Sequence, residues 1–296
     1  MSDHNAMREQ MQSGAGFVAA LDQSGGSTPK ALSLYGVEPS DYSGDAEMFA
    51  AMHDMRARII LADDFTSTKV IGAILFERTM HDTINDKPVA ELLWQDRGIV
   101  PFLKIDKGLE DQADGVQLLK PMPGLEELLA DAKSKGIFGT KERSVINEAN
   151  AKGVADIVAQ QFDVARTVIA AGLVPILEPE VNIHSETKAE AENMLEAEIE
   201  KHLDMLEEGV DVMLKLTLPN KPGLYDGLAA HPRVLRVVAL SGGYSTDVAS
   251  EKLSHNKHMI ASFSRALTEG LNVKMSDAEF GAALGGNIDK IYRASI

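Results

Sequence analysis

Eight short apolar runs recur along the chain, and helix-like stretches separate most of them. The runs are Gly16–Asp22, Val70–Glu77, Val100–Asp106, Ile137–Val145, Leu173–Val181, Asp211–Leu218, Leu235–Leu240 and Met259–Arg265. Each has the length of a strand and is too short for a helix of its own. Between them apolar residues return at three- and four-residue spacing, as Met48, Met52, Met55 and Ile59 do within Asp45–Leu61. Pro123–Lys135 opens on a proline and stops at Gly136, while Asn150–Ala171 and Thr187–Glu208 stop at Gly172 and Gly209. Proline at the start and glycine past the end punctuate helices, because one lacks an N–H and the other tolerates a left-handed turn. Thr246–His258 and Ser276–Arg293 complete the set, the last carrying Gly285-Gly286, where a bend or break is expected. Strand alternating with helix implies a parallel sheet. Eight such units in 296 residues imply a single (β/α)8 TIM barrel over residues 1–296. An open doubly wound sheet is the alternative, but the first run lacks a Gly-x-Gly-x-x-Gly turn; Ser24-Gly25-Gly26-Ser27 is a different pattern. The proline- and serine-containing stretch Gln23–Ser43 reads as a long loop after the first strand.

In a barrel of this kind, chemistry is carried at the carboxyl ends of the strands. There the apolar runs turn charged. The first run closes on Asp22, the third carries Lys104 and Asp106, and the fourth carries Lys141 and Arg143. The fifth carries Glu178 and Glu180, which alternation places on one face with Ile176. Lys215 interrupts Val-Asp-Val-Met-Leu-Lys-Leu-Thr-Leu-Pro, on the face of Met213 and Thr217. Lysines are rarely buried without a partner, burial disfavours the ammonium form, and a free amine is a nucleophile. A structural lysine paired with a carboxylate is the plainer reading of that run alone, but the charges at so many strand ends favour a working barrel mouth. Ser241-Gly242-Gly243, followed by a helix start near Thr246, supplies backbone N–H groups for an anion, and Arg265 adds a cationic fork.

Composition narrows the partners. With 29 basic against 45 acidic residues, the formal charge of −16 opposes general nucleic-acid binding and docking on an anionic membrane. The absence of cysteine excludes disulfides, thiolate nucleophiles and cysteine-held metal centres. No His-Glu-x-x-His occurs, and His255 and His258 lie in a Lys- and Asn-containing segment that reads as solvated surface, so no metal or cofactor is expected. The start has no apolar signal region and no run approaches membrane-spanning length, so a cytoplasmic location is expected.

Seven ordered motifs carry a resemblance. They are Ala19-Ala20-Leu21-Asp22-Gln23-Ser24, Leu103-Lys104-Ile105-Asp106-Lys107-Gly108, Phe138-Gly139-Thr140-Lys141-Glu142-Arg143, Val174-Pro175-Ile176-Leu177-Glu178-Pro179-Glu180, Met213-Leu214-Lys215-Leu216-Thr217, Leu240-Ser241-Gly242-Gly243 and Ser262-Phe263-Ser264-Arg265-Ala266-Leu267. Together, over Phe17 to about Leu267, the chain resembles a class I, Schiff-base fructose-bisphosphate aldolase of the shorter bacterial type. The resemblance implies cleavage of fructose 1,6-bisphosphate in glycolysis and its reversal in gluconeogenesis, without a metal. It implies Lys215 as the Schiff-base lysine, Glu178 as the carboxyl group that moves protons around it, and Glu180 as its assistant. Asp22 is implied as the base at the C4 hydroxyl, and Lys141 as the second lysine. For the far phosphate it implies Arg143, Lys104, Ser24 and Ser27; for the phosphate nearest the ketone, Ser241, Gly242, Gly243, Ser262 and Arg265. The chain departs from many relatives in carrying Glu142 in place of a tryptophan, which is expected to alter the field beside Lys141. It also ends at Ile296 without the long tyrosine-terminated tail of the animal enzymes, so Tyr292 is given no such role. A class I aldolase for tagatose 1,6-bisphosphate or a related phosphosugar is the alternative, and the oligomeric state is left open.

Overall fold

A computed structural model describes residues 3–296. The eight apolar runs form β1 (Phe17–Leu21), β2 (Val70–Leu75), β3 (Val100–Lys104), β4 (Gly139–Ile146), β5 (Val174–Val181), β6 (Val212–Thr217), β7 (Val234–Leu240) and β8 (Met259–Ala261). Each is parallel to the next in chain order. β8 returns beside β1, but among the described residues no backbone ladder joins the two. The result is a nearly closed barrel. Every residue of β1, β2 and β6 is buried, as expected of parallel strands covered by helices on one side and by the barrel interior on the other.

The larger helices are α1 (Asp3–Ser13), α2 (Thr28–Tyr35), α3 (Gly44–Leu61), α4 (Leu125–Ser134), α5 (Ala151–Ala170), α6 (Lys188–Asp204), α7 (Thr246–Ser254) and α8 (Asp277–Ala294). Side-chain caps fix several starts. Asn150 accepts the Gly153 N–H at the head of α5, and Ser276 with Glu279 closes a reciprocal capping box on α8.

Inside the barrel the lower layer is apolar, with Val18, Phe102, Ile176, Met213, Val238 and Ile260 packed together over Met7 and Met11 of α1. That helix closes the floor. Arg236 donates to the carbonyls of Met11 and Gly14 at 2.8 and 3.0 Å, and Arg8 reaches Asp211 at 2.9 Å. Two residues further up three of these strands, the same inward face turns charged. Phe102 leads to Lys104, Ile176 to Glu178 and Met213 to Lys215. The period of two therefore stacks a polar layer directly on a packed floor.

The structure departs from the sequence expectations in four places. First, α1 lies where no element was expected. Second, Gln23–Ser43 is not a loop but holds α2 between the 3₁₀ turns Gly25–Ser27 and Pro39–Asp41. Third, Gly285-Gly286 does not break α8, which runs unbroken over Asp277–Ala294. A Cβ at Gly285 would stand 2.3 Å from the Asp64 carboxylate, so the small residue answers a close approach. Fourth, β8 stops at Ala261, and Arg265 instead opens the short helix Arg265–Thr268. Among the described residues no helix is long and apolar enough to cross a membrane.

Candidate active site

A cavity of about 940 Å³ opens at the carboxyl ends of the strands. Lys215, on β6, is 4% exposed, and its Nζ lies 3.0 Å from Oε1 of Glu178 on the neighbouring β5. The other oxygen of Glu178 lies 2.8 Å from Nζ of Lys141 on β4. The same ammonium lies 2.8 Å from Oδ2 of Asp22, just past β1. Asp22, Lys141, Glu178 and Lys215 thus form one alternating chain of charges across the barrel. Glu178 stands between two lysines, and Lys141 between two carboxylates.

The electrostatics follow from that order. Burial alone would raise Asp22, but Lys141 and Lys215 more than reverse it and hold the carboxyl well below the usual range, as an anion. Burial alone would strip the proton from Lys141, but Asp22 and Glu178, with Asp106 behind them, hold it firmly as a cation. Lys215 touches one carboxylate oxygen where Lys141 touches two.

The outer ring of the site is paired as well. Lys104 donates to Oδ1 of Asp106 at 2.7 Å and to its carbonyl at 2.9 Å. Asp106 also accepts the Arg143 and Gly108 backbone N–H groups at 3.3 and 3.4 Å. Arg143 donates from Nη1 to Glu180 at 2.9 Å. Burial depresses the Arg143 guanidinium, but Glu180 and Glu178 outweigh it and hold the positive charge. On the side of β1, the Ser27 hydroxyl donates to the Ser24 carbonyl at 2.9 Å and accepts its N–H at 3.1 Å, folding the Gly25–Ser27 turn on itself.

Ser241 and Gly242 reach the cavity from the loop after β7. Gly242 has φ +58° and Gly243 φ +125°, backbone shapes that favour glycine. Gly243 does not line the cavity, but a Cβ there would be 3.6 Å from Nη2 of Arg265. Ser262 is 2% exposed with no partner for its hydroxyl, and Arg265 stands exposed beside it at the rim.

Every other residue expected at the site lines the cavity. Glu142 does not. It lies on the opposite face of β4 from Lys141, fully buried, and neither of its carboxyl oxygens has a partner. Burial, with Asp106 adding to it, pushes the Glu142 carboxyl well above the ordinary carboxylate range. Its substitution for tryptophan therefore concerns the layer between strand and helix, where Gln161 of α5 also sits. Tyr292 packs against the outer apolar layer and does not line the cavity. Asp106, Gln23 and Lys30 are among the cavity-lining residues to which the sequence assigned no role. Asp106 shares a face with Lys104 and could have been found by that alternation. Gln23 and Lys30 also line the cavity, but both fall in the stretch misread as loop.

Comparison with known proteins gives a family. A family model described as fructose-bisphosphate aldolase class-I matches residues 4–220. The chain is 57% identical over 288 residues to a protein of Synechocystis named fructose-bisphosphate aldolase class 1, covering 97% of this chain and 96% of that one. It is 54% identical to a protein of the same name from Porphyromonas gingivalis, covering 97% and 98%. Among solved structures, a Plasmodium falciparum fructose-bisphosphate aldolase, in complex with TRAP and a small-molecule inhibitor, superposes with a TM-score of 0.78. That match has 20% identity and covers 99% of this chain and 94% of the other, and it speaks for the fold alone.

Proposed function

The chain belongs to the class I fructose-bisphosphate aldolases, and from that premise we propose that it cleaves fructose 1,6-bisphosphate reversibly through a Schiff base on Lys215. The observation that carries the choice of residue is the charge chain Asp22–Lys141–Glu178–Lys215. Lys141 is pinned by two carboxylates, which supports Lys215 as the amine that attacks.

The Lys215 amine adds to C2 of the open-chain sugar. Glu178, within reach of that nitrogen, takes the proton the nitrogen gives up and passes it to the departing oxygen, and water leaves behind an iminium. Asp22, held as an anion, takes the O4 proton as the C3–C4 bond breaks and its electron pair moves into the iminium. Glyceraldehyde 3-phosphate departs. The enamine left behind is protonated at C3, and hydrolysis frees Lys215 and dihydroxyacetone phosphate. Lys141 keeps its positive charge throughout and holds Asp22 and Glu178 to either side of the reacting carbons. Ser241, Gly242, Ser262 and Arg265, with Gly243 shaping the turn, take the phosphate nearest the ketone. Lys104, Arg143, Ser24 and Ser27 take the far one. Fixing both ends of the sugar sets C2 against the amine and O4 against Asp22, which removes much of the orientational cost.

Borohydride reduction with dihydroxyacetone phosphate, followed by peptide mass analysis, tests the assignment. A stable adduct on Lys215 is expected, and Lys215→Met is expected to abolish both adduct and cleavage with an unchanged circular-dichroism spectrum. Turnover retained in that variant would sink the assignment.

A further inference from the structure

Arg56 of α3 is 3% exposed; Asp22 and Asp82 attract its charge, but neither touches it in a salt bridge among the described residues. A buried guanidinium without a carboxylate partner is costly, so the groups that satisfy it matter. Nη1 donates to Oγ1 of Thr79 at 2.8 Å. Nη2 donates to the backbone carbonyl of Gln23 at 2.5 Å and reaches its Oε1 at 3.4 Å. Gln23 directly follows Asp22 in the chain. Its amide in turn donates to Oγ of Ser264 at 2.8 Å, and Ser264 directly precedes Arg265.

The place of this tie in the fold gives it meaning. Every other neighbouring pair of strands is joined by a backbone ladder, whereas β1 and β8 are not. Asp22 leaves β1 at that seam, and Arg265 lies just beyond β8. The Gln23–Ser264 bond crosses the seam at the mouth, and Arg56 anchors it from behind.

We propose that Arg56 and Gln23 are positioning residues, a latch that holds the Asp22 carboxylate in register with the Ser264–Arg265 segment across the open seam. The latch touches no reacting atom. It sets the distance between the group that takes the O4 proton and the group that holds the ketone-side phosphate, and it therefore acts on carbon–carbon cleavage and not on imine formation. This inference rests on the roles proposed above for Asp22 and Lys215.

The test uses Gln23→Leu, which removes the bond to Ser264 and keeps both bulk and the Arg56 bond to the Gln23 carbonyl, Ser264→Ala, and the double variant. Two readouts are compared: borohydride trapping of dihydroxyacetone phosphate on Lys215, and kcat for cleavage of fructose 1,6-bisphosphate. Gln23→Leu is expected to trap within about twofold of the parent while kcat falls by about ten- to a hundredfold, the scale of a misplacement near 1 Å. Ser264→Ala is expected to lower kcat in the same direction, and the double variant to be no slower than Gln23→Leu alone, since one bond can be lost only once. Arg56→Lys, which keeps charge but not the fork, is expected to show the same split between trapping and kcat. Trapping and kcat falling together, an unchanged kcat, or additive losses in the double variant would overturn the latch. No adduct on Lys215 in the parent protein would instead overturn the Schiff-base reading on which the latch rests. Should Gln23→Leu fail to fold, the half-exposed Ser264→Ala carries the same comparison alone.

Discussion

Lys141 and Lys215 are both buried lysines facing into one cavity, yet Lys141 meets two carboxylates and Lys215 one, and the roles proposed for them rest on that difference. The same logic assigns Asp22, whose carboxylate is held ionised by its lysine neighbours. Asp22→Asn keeps the shape and removes the base, so cleavage should fall by about 10²–10⁴-fold, the usual yield of a positioned proton acceptor. Trapping of dihydroxyacetone phosphate on Lys215 should survive in that variant, because no O4 is present; if trapping is lost as well, Asp22 acts before bond cleavage and its role is misassigned. Glu142 makes a prediction of another kind. Its carboxyl is raised from 4.5 by burial, so the folded protein holds the proton where the unfolded chain has lost it. Stability from this group is complete below the unfolded value and is lost as pH climbs toward the folded one. Glu142→Gln, which stays neutral, should therefore melt closer to the parent near about pH 5 and increasingly above it toward about pH 8. Thermal midpoints across that range check it, and a gap that does not change with pH would mean Glu142 is ionised in the fold.

At the scale of elements, α1 is the floor of the barrel and stands apart from its chemistry. Met11 is fully buried there beneath Phe102 and Met213. Met11→Ala should cost about 2–5 kcal/mol in urea denaturation, as truncation in a packed core does, while kcat per folded molecule stays unchanged. A fall in kcat without a fall in stability would show that the floor is coupled to the site. The elements that were legible in sequence share one property: their burial pattern has a period. The strands announced themselves because an apolar run ends in charge on the same face, as Met213, Lys215 and Thr217 do. By contrast α1 contributes only Met7 and Met11 to the core among polar residues, too few to mark a face. Pro29 made α2 look like loop, although proline in the first turn of a helix costs no hydrogen bond. Gly285 looked like a break because its reason, the approach of Asp64, lies in a distant part of the chain. The Gln23–Ser264 contact was illegible for the same cause, since the partners are 241 residues apart. Lys104, Glu178 and Lys215, lying on strands with a fixed alternation, needed no such distant knowledge.

For the whole molecule, a formal charge of −16 sits oddly with a bisphosphate substrate until the charges are placed. Lys104, Lys141, Arg143 and Lys215 face Asp106, Asp22, Glu178 and Glu180 within the cavity, so its deep layer is balanced. Arg265 and Lys30 line the cavity and have no ion-pair partner among the described residues. Covalent catalysis by an amine asks nothing of a divalent ion, so dialysis against a chelator should leave cleavage unchanged; a loss restored by added metal would remove the Schiff-base mechanism. The balanced layer has a further consequence on this chemistry. A protonated lysine and the iminium that replaces it carry the same unit of positive charge, and at nearly the same point. On the proposed mechanism an iminium at Lys215 keeps one positive charge against Glu178, and no small ion has to cross the mouth to accompany its formation. On that mechanism protons move through Glu178 at the imine and through Asp22 at O4, while the Lys141 charge stays fixed between them.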